Sequence, residues 1–456
     1  MKKILLLELL NVLEKKEQKY LYSFIDSEYW DLREEDKTLI GEFIDQPDLM
    51  IEIYEREAIS PKFKYQRGRI VKVLEAYLHF KLISKKRIQK ELLLADFYNE
   101  KGLEKNYQVK MKAIHNLLLK RPLDNETGYL IFKYNETLAK HSRVNRSKMS
   151  ELTGMIKGLN QFYQENIARL LCEFKNHREI INTTYIKGLE NVTMPIFSES
   201  ALGEIYKHII GLLENSDKFD HYNHLKKVIE EKEFNLAADI EETLYVHLMN
   251  YCIKEMNKGH LAFADEYIYW IKKVIVKGYF LANGVIDIGR YRNTITAYLV
   301  SPSRDYQKAR VFIEQYSDFL TTGLSEDIKN INLVRILLFE QNYVTADLQL
   351  SKIPYGKFDS YYKILYRQLE IKLLYECTNK NEALILSRLD NFRSFINNNK
   401  ILRGGKKIVV LRNFIRLMQD LIDSDTPHTQ NVVFNREYIE SKLLSLTDKT
   451  WFLTKL

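Results

Sequence analysis

A chain of 456 residues, 45% of them apolar, carries enough hydrophobic material for two or three ordinary domains or one elongated repeat array. Charged residues make up 29% and prolines number only 7, which excludes a disordered or collagen-like chain. Three cysteines, Cys172, Cys252 and Cys377, are odd in number and form no CxxC pair, which argues against a disulfide framework or a zinc ribbon and fits a reducing compartment.

The chain opens MKKILLLELLNVLEKK, where two lysines before an apolar run imitate a secretory leader. Glu8 and Asn11 interrupt the run, it continues as an amphipathic helix, and no small-x-small cleavage site follows. No segment approaches the roughly 20 apolar residues that cross a bilayer, so the expectation is a cytoplasmic protein without a membrane span. The net charge of +8 hides an asymmetry along this first part. Met1 to Pro61 has 8 basic and 15 acidic residues, a net of −7, whereas Lys62 to Lys148 has 21 basic and 8 acidic, a net of +13.

The basic excess begins at KFKYQRGRIVKVLEAYLHFKLISKKRIQK, which holds ten Lys or Arg and one acid, Glu75. On a helical wheel Ile70, Leu74, Tyr77 and Leu78 gather on one side and Arg69, Lys72 and His79 on the other. Lys86, Arg87 and Lys90 join the basic side if the helix continues. Such a stripe is a candidate polyanion surface, for RNA or DNA, on which several phosphates are neutralised. It equally fits a solvated helix face with the acidic segment WDLREEDKTLIGEFID docked beside it. Tyr65 and Phe80 are interleaved as base stacking requires, but Tyr77 falls on the core side.

Helical periodicity continues throughout. Pro122 before Asp124, Pro195 before Ser198 and Pro302 before Ser303 mark helix boundaries, and Gly323 followed by Ser325, with Glu326 and Asp327 in the next first turn, marks another. Stripes of 12 to 20 residues with short connections predict roughly twenty helices. The region 1–191 shows no alignable repeat, and a boundary is expected within ENVTMPIFSES, separating it from a repeat region, 192–456. In FDHYNHLKK, His221 and His224 lie one turn apart beside Asp220, a geometry that could hold a metal with a distant carboxylate, but without the full HExxH pattern they read as surface residues, and no metal is assigned.

Farther on, GHLAFADEYI, RDYQKARVFI, QNYVTADLQL and NKNEALILSR align on Ala264, Ala309, Ala346 and Ala383, spaced by 45, 37 and 37 residues. Each alanine falls early in a helix after a short turn, where paired helix backbones approach most closely and only a small side chain fits. At these residues the chain resembles the tetratricopeptide (TPR) and pentatricopeptide families of helical repeats, over about 235–396. The segment LMNYCIKEMNKGHLAFADEYIYWIKKVIVKGY is most similar, with Cys252 where the families carry a small residue, although their proline closing each pair is missing. The resemblance implies an all-α fold, an α-solenoid of antiparallel helix pairs with irregular TPR-like repeats, and nothing catalytic. Arg403, Lys406, Lys407, Arg412 and Arg416 make a second basic cluster, in which RGGKK lacks the GxxxxGK[ST] spacing of a phosphate loop.

No catalytic motif and no cofactor site stands out. The function expected is therefore a non-catalytic scaffold for a protein or extended peptide lying along the repeats. Alternatives are a nucleic-acid-binding repeat protein using the basic face (Arg69, Lys72, Lys86, Arg87, Lys90, with Arg403, Lys406 and Lys407) and an enzyme with no recognisable motif.

Overall fold

Apolar side chains spaced by three and four residues become helices here wherever a neighbour covers the stripe. The computed structural model describes residues 9, 13–27, 32–46, 52, 61–141, 149–181, 200–214, 219–232, 234–320, 323, 325–377, 381–399, 406–425 and 434–456, without the side chains of 62, 63, 149, 177–181, 357 and 406. Among these residues there are twenty α-helices and no strand, so the fold is all-α. Two isolated bridges, Leu123 with Leu236 and Ala282 with Val285, are the extended pairings among them. Also among them, no helix is long and apolar enough to cross a membrane. Contacts divide the chain into two compact units, Met1–Arg121 with Glu126–Asn160, and Pro122–Asn125 with Gln161–Leu456. The boundary expected at 191/192, with its Pro195 and Ser198 signals, lies outside the described residues.

The first unit contains two separate cores. In one, α1 (Lys15–Ile25), α2 (Glu34–Asp45) and α3 (Pro61–Lys85) bury Leu21, Ile25, Ile40, Phe43, Ile70 and Leu74. Tyr77 is also buried there and donates its hydroxyl to the Glu17 carbonyl at 2.9 Å. The other joins α4 (Arg87–Glu100), α5 (Glu104–Leu119) and α6 (Thr127–His141) around Ile88, Leu92, Tyr107, Met111, Ile114 and Leu130. Helix α3 stops at Lys85, and α4 starts after Lys86 (φ −87°, ψ 69°), so the basic stripe does not run along one helix. The break falls where the chain passes from one core to the other: Ile70 and Leu74 belong to the first and Ile88 and Leu92 to the second. Helix α7 (Met149–Ile181) comes close to α6 at Gly158, where a Cβ would lie 2.7 Å from the Phe132 nitrogen.

The second unit has one continuous core, from Ala168 to Phe452. After α8 (Ala201–Glu214) and α9 (Phe219–Glu230) come four helix–turn–helix pairs. They are α10 (Ala238–Lys258) with α11 (Ala262–Val276), α12 (Ile288–Val300) with α13 (Tyr306–Tyr316), α14 (Ser325–Phe339) with α15 (Tyr343–Leu350), and α16 (Ser360–Glu376) with α17 (Glu382–Asn398). Each helix packs on its chain neighbours, and α14 also packs on α12 and α16. The turns are set by short signals. Gly259 closes α10 at φ 101°, a left-handed conformation that favours glycine. The side chains of Asp287, Asp305, Asp359 and Asn381 accept backbone N–H groups at the starts of α12, α13, α16 and α17.

Each of the four aligned alanines falls in the second helix of a pair. Ala264, Ala309 and Ala346 are fully buried, whereas Ala383 is exposed, and α17 buries Ile385, Leu389, Phe392 and Ile396 instead. The Tyr222 hydroxyl brings partners with it into the core. Tyr222 accepts the Trp270 indole N–H at 2.9 Å and donates to Glu266 at 2.8 Å, and Lys226 closes the network on the same carboxylate. The chain ends in α18 (Lys406–Asp425), α19 (Arg436–Ser441) and α20 (Leu446–Leu453), and α20 packs on α12. The three cysteines are free, with Cys172 and Cys252 buried.

Candidate functional site

Between α12, α14, α16, α18 and the start of α20 lies a cavity of about 280 Å³. Its walls are mostly apolar, with Leu338, Phe339, Leu365, Leu369 and Leu411 among them. Into this wall the sequence places three ionic side chains that are almost wholly buried: Arg335, Lys372 and Asp448. Burying a charge is strongly unfavourable unless a partner compensates it, so the partners decide what each charge is for.

Lys372 and Asp448 compensate each other. The ammonium lies 2.6 Å from Asp448 Oδ1, and Gln368 Nε2 and Ser445 Oγ donate to Oδ2 at 2.8 and 2.5 Å. Ser445 also caps α20 by accepting the Asp448 N–H. Lys372 further lies over the rings of Trp451 and Phe414, at 5.3 and 5.7 Å. Both carboxylate oxygens of Asp448 are engaged, so this pair holds the C-terminal helix in place and is not poised as a general base.

Arg335 has no such partner. It is 5% exposed, and its guanidinium donates from Nη1 to Asn332 Oδ1 at 2.8 Å and from Nη2 to Thr296 Oγ1 at 2.9 Å, both neutral oxygens. Among the described residues no carboxylate lies within ion-pair distance of it. Of five guanidinium donors, two are used. Burial pulls the Arg335 pKa below the usual guanidinium value, opposed by Tyr361, Tyr362 and the Asp448 charge and aided slightly by Arg292. Arg292 Cζ lies over the Tyr361 ring, 4.0 Å from its centroid, and Tyr361 lines the cavity. The hydroxyl of Tyr362, which interacts electrostatically with both arginines, is buried without a hydrogen-bond partner. Of these groups Arg335 and Tyr361 line the cavity, so one buried guanidinium set in an apolar wall makes a place for an anionic group attached to an apolar body.

Of the basic residues singled out in the sequence, Lys407 lines this cavity and is exposed there. Arg403 and the side chain of Lys406 lie outside the described residues. In the first unit Arg69 is taken by the acidic helix: Nε and Nη2 donate to the two oxygens of the fully buried Asp36 at 2.9 and 2.8 Å. Lys72, Lys86, Arg87 and Lys90 are exposed. Lys86 and Arg87 line a cleft with Lys85, Lys120 and Arg121, in which Glu126 is the one acid and pairs with Arg121 at 3.0 Å. Sequence reasoning missed Arg335. Its only local signal is a cation in the otherwise apolar run LVRILLF, where a solvated face would carry several polar residues.

No family model matches the chain, and neither does any curated protein or solved structure. The geometry of the site is therefore what supports a function.

Proposed function

We propose that this chain is a non-catalytic binding protein whose second unit stacks antiparallel helix pairs into a TPR-like solenoid and takes an anionic, partly apolar group of a protein or peptide partner into the Arg335 cavity. The unpaired, buried guanidinium carries this reading. A fold keeps a buried charge without an adjacent counter-ion at the expense of stability, and a ligand that supplies a close counter-charge recovers the loss on binding. The volume lies at the lower edge of ligand pockets, which suits one or two side chains of a peptide better than a large cofactor. Three free cysteines fit a reducing, cytoplasmic setting.

The test is affinity capture from nuclease-treated lysate with the wild-type chain and with Arg335→Met in parallel. A defined protein partner retained by the wild type and lost by the variant is expected. Equal recovery by both, or recovery of nothing, removes the proposal.

A second reading rests on the α3–α4 cleft, where Lys85, Lys86, Arg87 and Lys120 stand exposed around a wide opening. A polyanion such as RNA or DNA fits that surface, and its affinity would fall steeply with salt.

A further inference from the structure

Helices α8 and α9 bring together a set of histidines that the cavity does not use. Glu204 and His208 are four residues apart on α8, and His221 and His224 three apart on α9, so each pair shares one helix face. The two helices pack on each other. A ligand atom from each of Glu204, His208 and His224 falls within 4.8 Å of the other two. The rings of His208 and His224 are stacked, with centroids 3.8 Å apart and planes at 10°. His221 is close by as well, its Nδ1 lying 3.0 Å from His208 Nδ1 in a hydrogen bond.

Gly211 shows how the backbone makes room for this arrangement. It lies inside α8, where glycine weakens a helix, and a Cβ at that position would meet the His221 ring at 2.3 Å. The imidazole therefore rests directly on the α8 backbone, in a cradle that any side chain would fill.

We propose that Glu204, His208 and His224 bind a divalent transition-metal ion, zinc by their ligand chemistry, in a site that clips α8 to α9. Two imidazoles and one carboxylate form a known type of zinc ligand set that leaves a fourth position to water. His221 is the positioning residue. By accepting Nδ1–H from His208 it fixes the tautomer that leaves Nε2 of His208 free as a ligand, the role an outer partner plays for metal-bound histidines. Zn–N distances of about 2.0–2.1 Å set neighbouring ligand atoms about 3.4 Å apart. The three groups thus close in slightly, and the stacked rings turn about χ2 until their lone pairs converge. Glu204 is exposed and the two histidines half-buried, which gives the ion a path from water.

The experiment uses the full, untagged chain, stripped with a chelator and dialysed. Zn²⁺ binding is measured by calorimetry, and Co²⁺ binding by the visible absorption of a tetrahedral site. One equivalent is expected to bind saturably and to raise the thermal midpoint. His208→Gln, His224→Gln and Glu204→Gln should each weaken binding about tenfold or more. No saturable binding by the wild type, or undiminished affinity in any of the three variants, overturns the proposal. The wild-type measurement decides even if a variant fails to fold.

Discussion

Among the described residues Lys85, Lys86 and Arg87 in the first unit and Arg335 in the second have no carboxylate within ion-pair distance, yet they differ in kind. The first three are exposed, so water stabilises their charge and their presence constrains little. Arg335 is 5% exposed and hydrogen-bonds two neutral oxygens, while the Asp448 carboxylate, already paired with Lys372, acts on it from beyond ion-pair distance. Lys372, on the next helix of the same cavity, shows what the second unit does with a buried cation that has a structural role: it receives a carboxylate and two ring faces. Burial, more than the number of charges, makes an unpaired cation informative.

The largest expected effect tests that contrast directly. Lys372→Met strands the Asp448 carboxylate in the core and should cost about 3–5 kcal/mol of the second unit's stability. Arg335→Met strands no charge. It leaves two neutral acceptors unmet while relieving a desolvated guanidinium, so its cost should be about 2 kcal/mol or less. Urea unfolding followed by the fluorescence of Trp451, which lies 5.3 Å from Lys372 Nζ, separates the two. Equal losses would mean that Arg335 has a structural role after all.

Next in size is a pH effect at another buried base. His247, in α10, is held neutral: burial first, and then the nearby charge of Lys254, lower its pKa to about 4. The unfolded chain takes up that proton near pH 6.5. The contribution is therefore fully present above pH 6.5 and is lost as pH falls through 4, amounting to about 3 kcal/mol at 1.36 kcal/mol per unit. Hydrogen exchange in α10 should quicken over that window, and His247→Leu should flatten the change. An unchanged profile in the variant would assign the acid sensitivity to other groups.

Much of the fold was legible because helical periodicity is local. Tyr362, Leu365, Tyr366, Leu369 and Leu373 line up by spacing, of which Tyr362, Leu369 and Leu373 are buried and Leu365 and Tyr366 half-buried, and the signals at Gly323 and Ser325 stand where α14 begins. Ala309, Phe312, Ile313, Tyr316, Phe319 and Leu320 are spaced as one helical stripe, yet α13 stops at Tyr316, Phe319 follows exposed in a single 3₁₀ turn, and Leu320 is buried beyond the helix. Periodicity cannot say which neighbour a helix meets, so the break at Lys86 between two cores was invisible. The same limit hid both sites. Arg335 and Lys407 are 72 residues apart in sequence, and His208 precedes His224 across a helix boundary, so only tertiary packing makes neighbours of them.

The smallest effect on stability, and the sharpest on binding, belongs to the first unit. Replacing Lys86, Arg87 and Lys90 by Glu touches only exposed groups, so unfolding should shift by about 0.5 kcal/mol or less. If the α3–α4 cleft takes nucleic acid, the same triple variant should abolish a low-salt mobility shift of labelled RNA or DNA that the wild type gives. Arg69→Met makes the complementary control. It breaks the pair with buried Asp36 and should destabilise the first unit, yet it should leave phosphate binding intact, because that guanidinium is already occupied. A wild type that shifts no nucleic acid in low salt would reduce the surface cations to solvated side chains, and the buried arginine of the second unit would remain as the feature that solvation cannot explain.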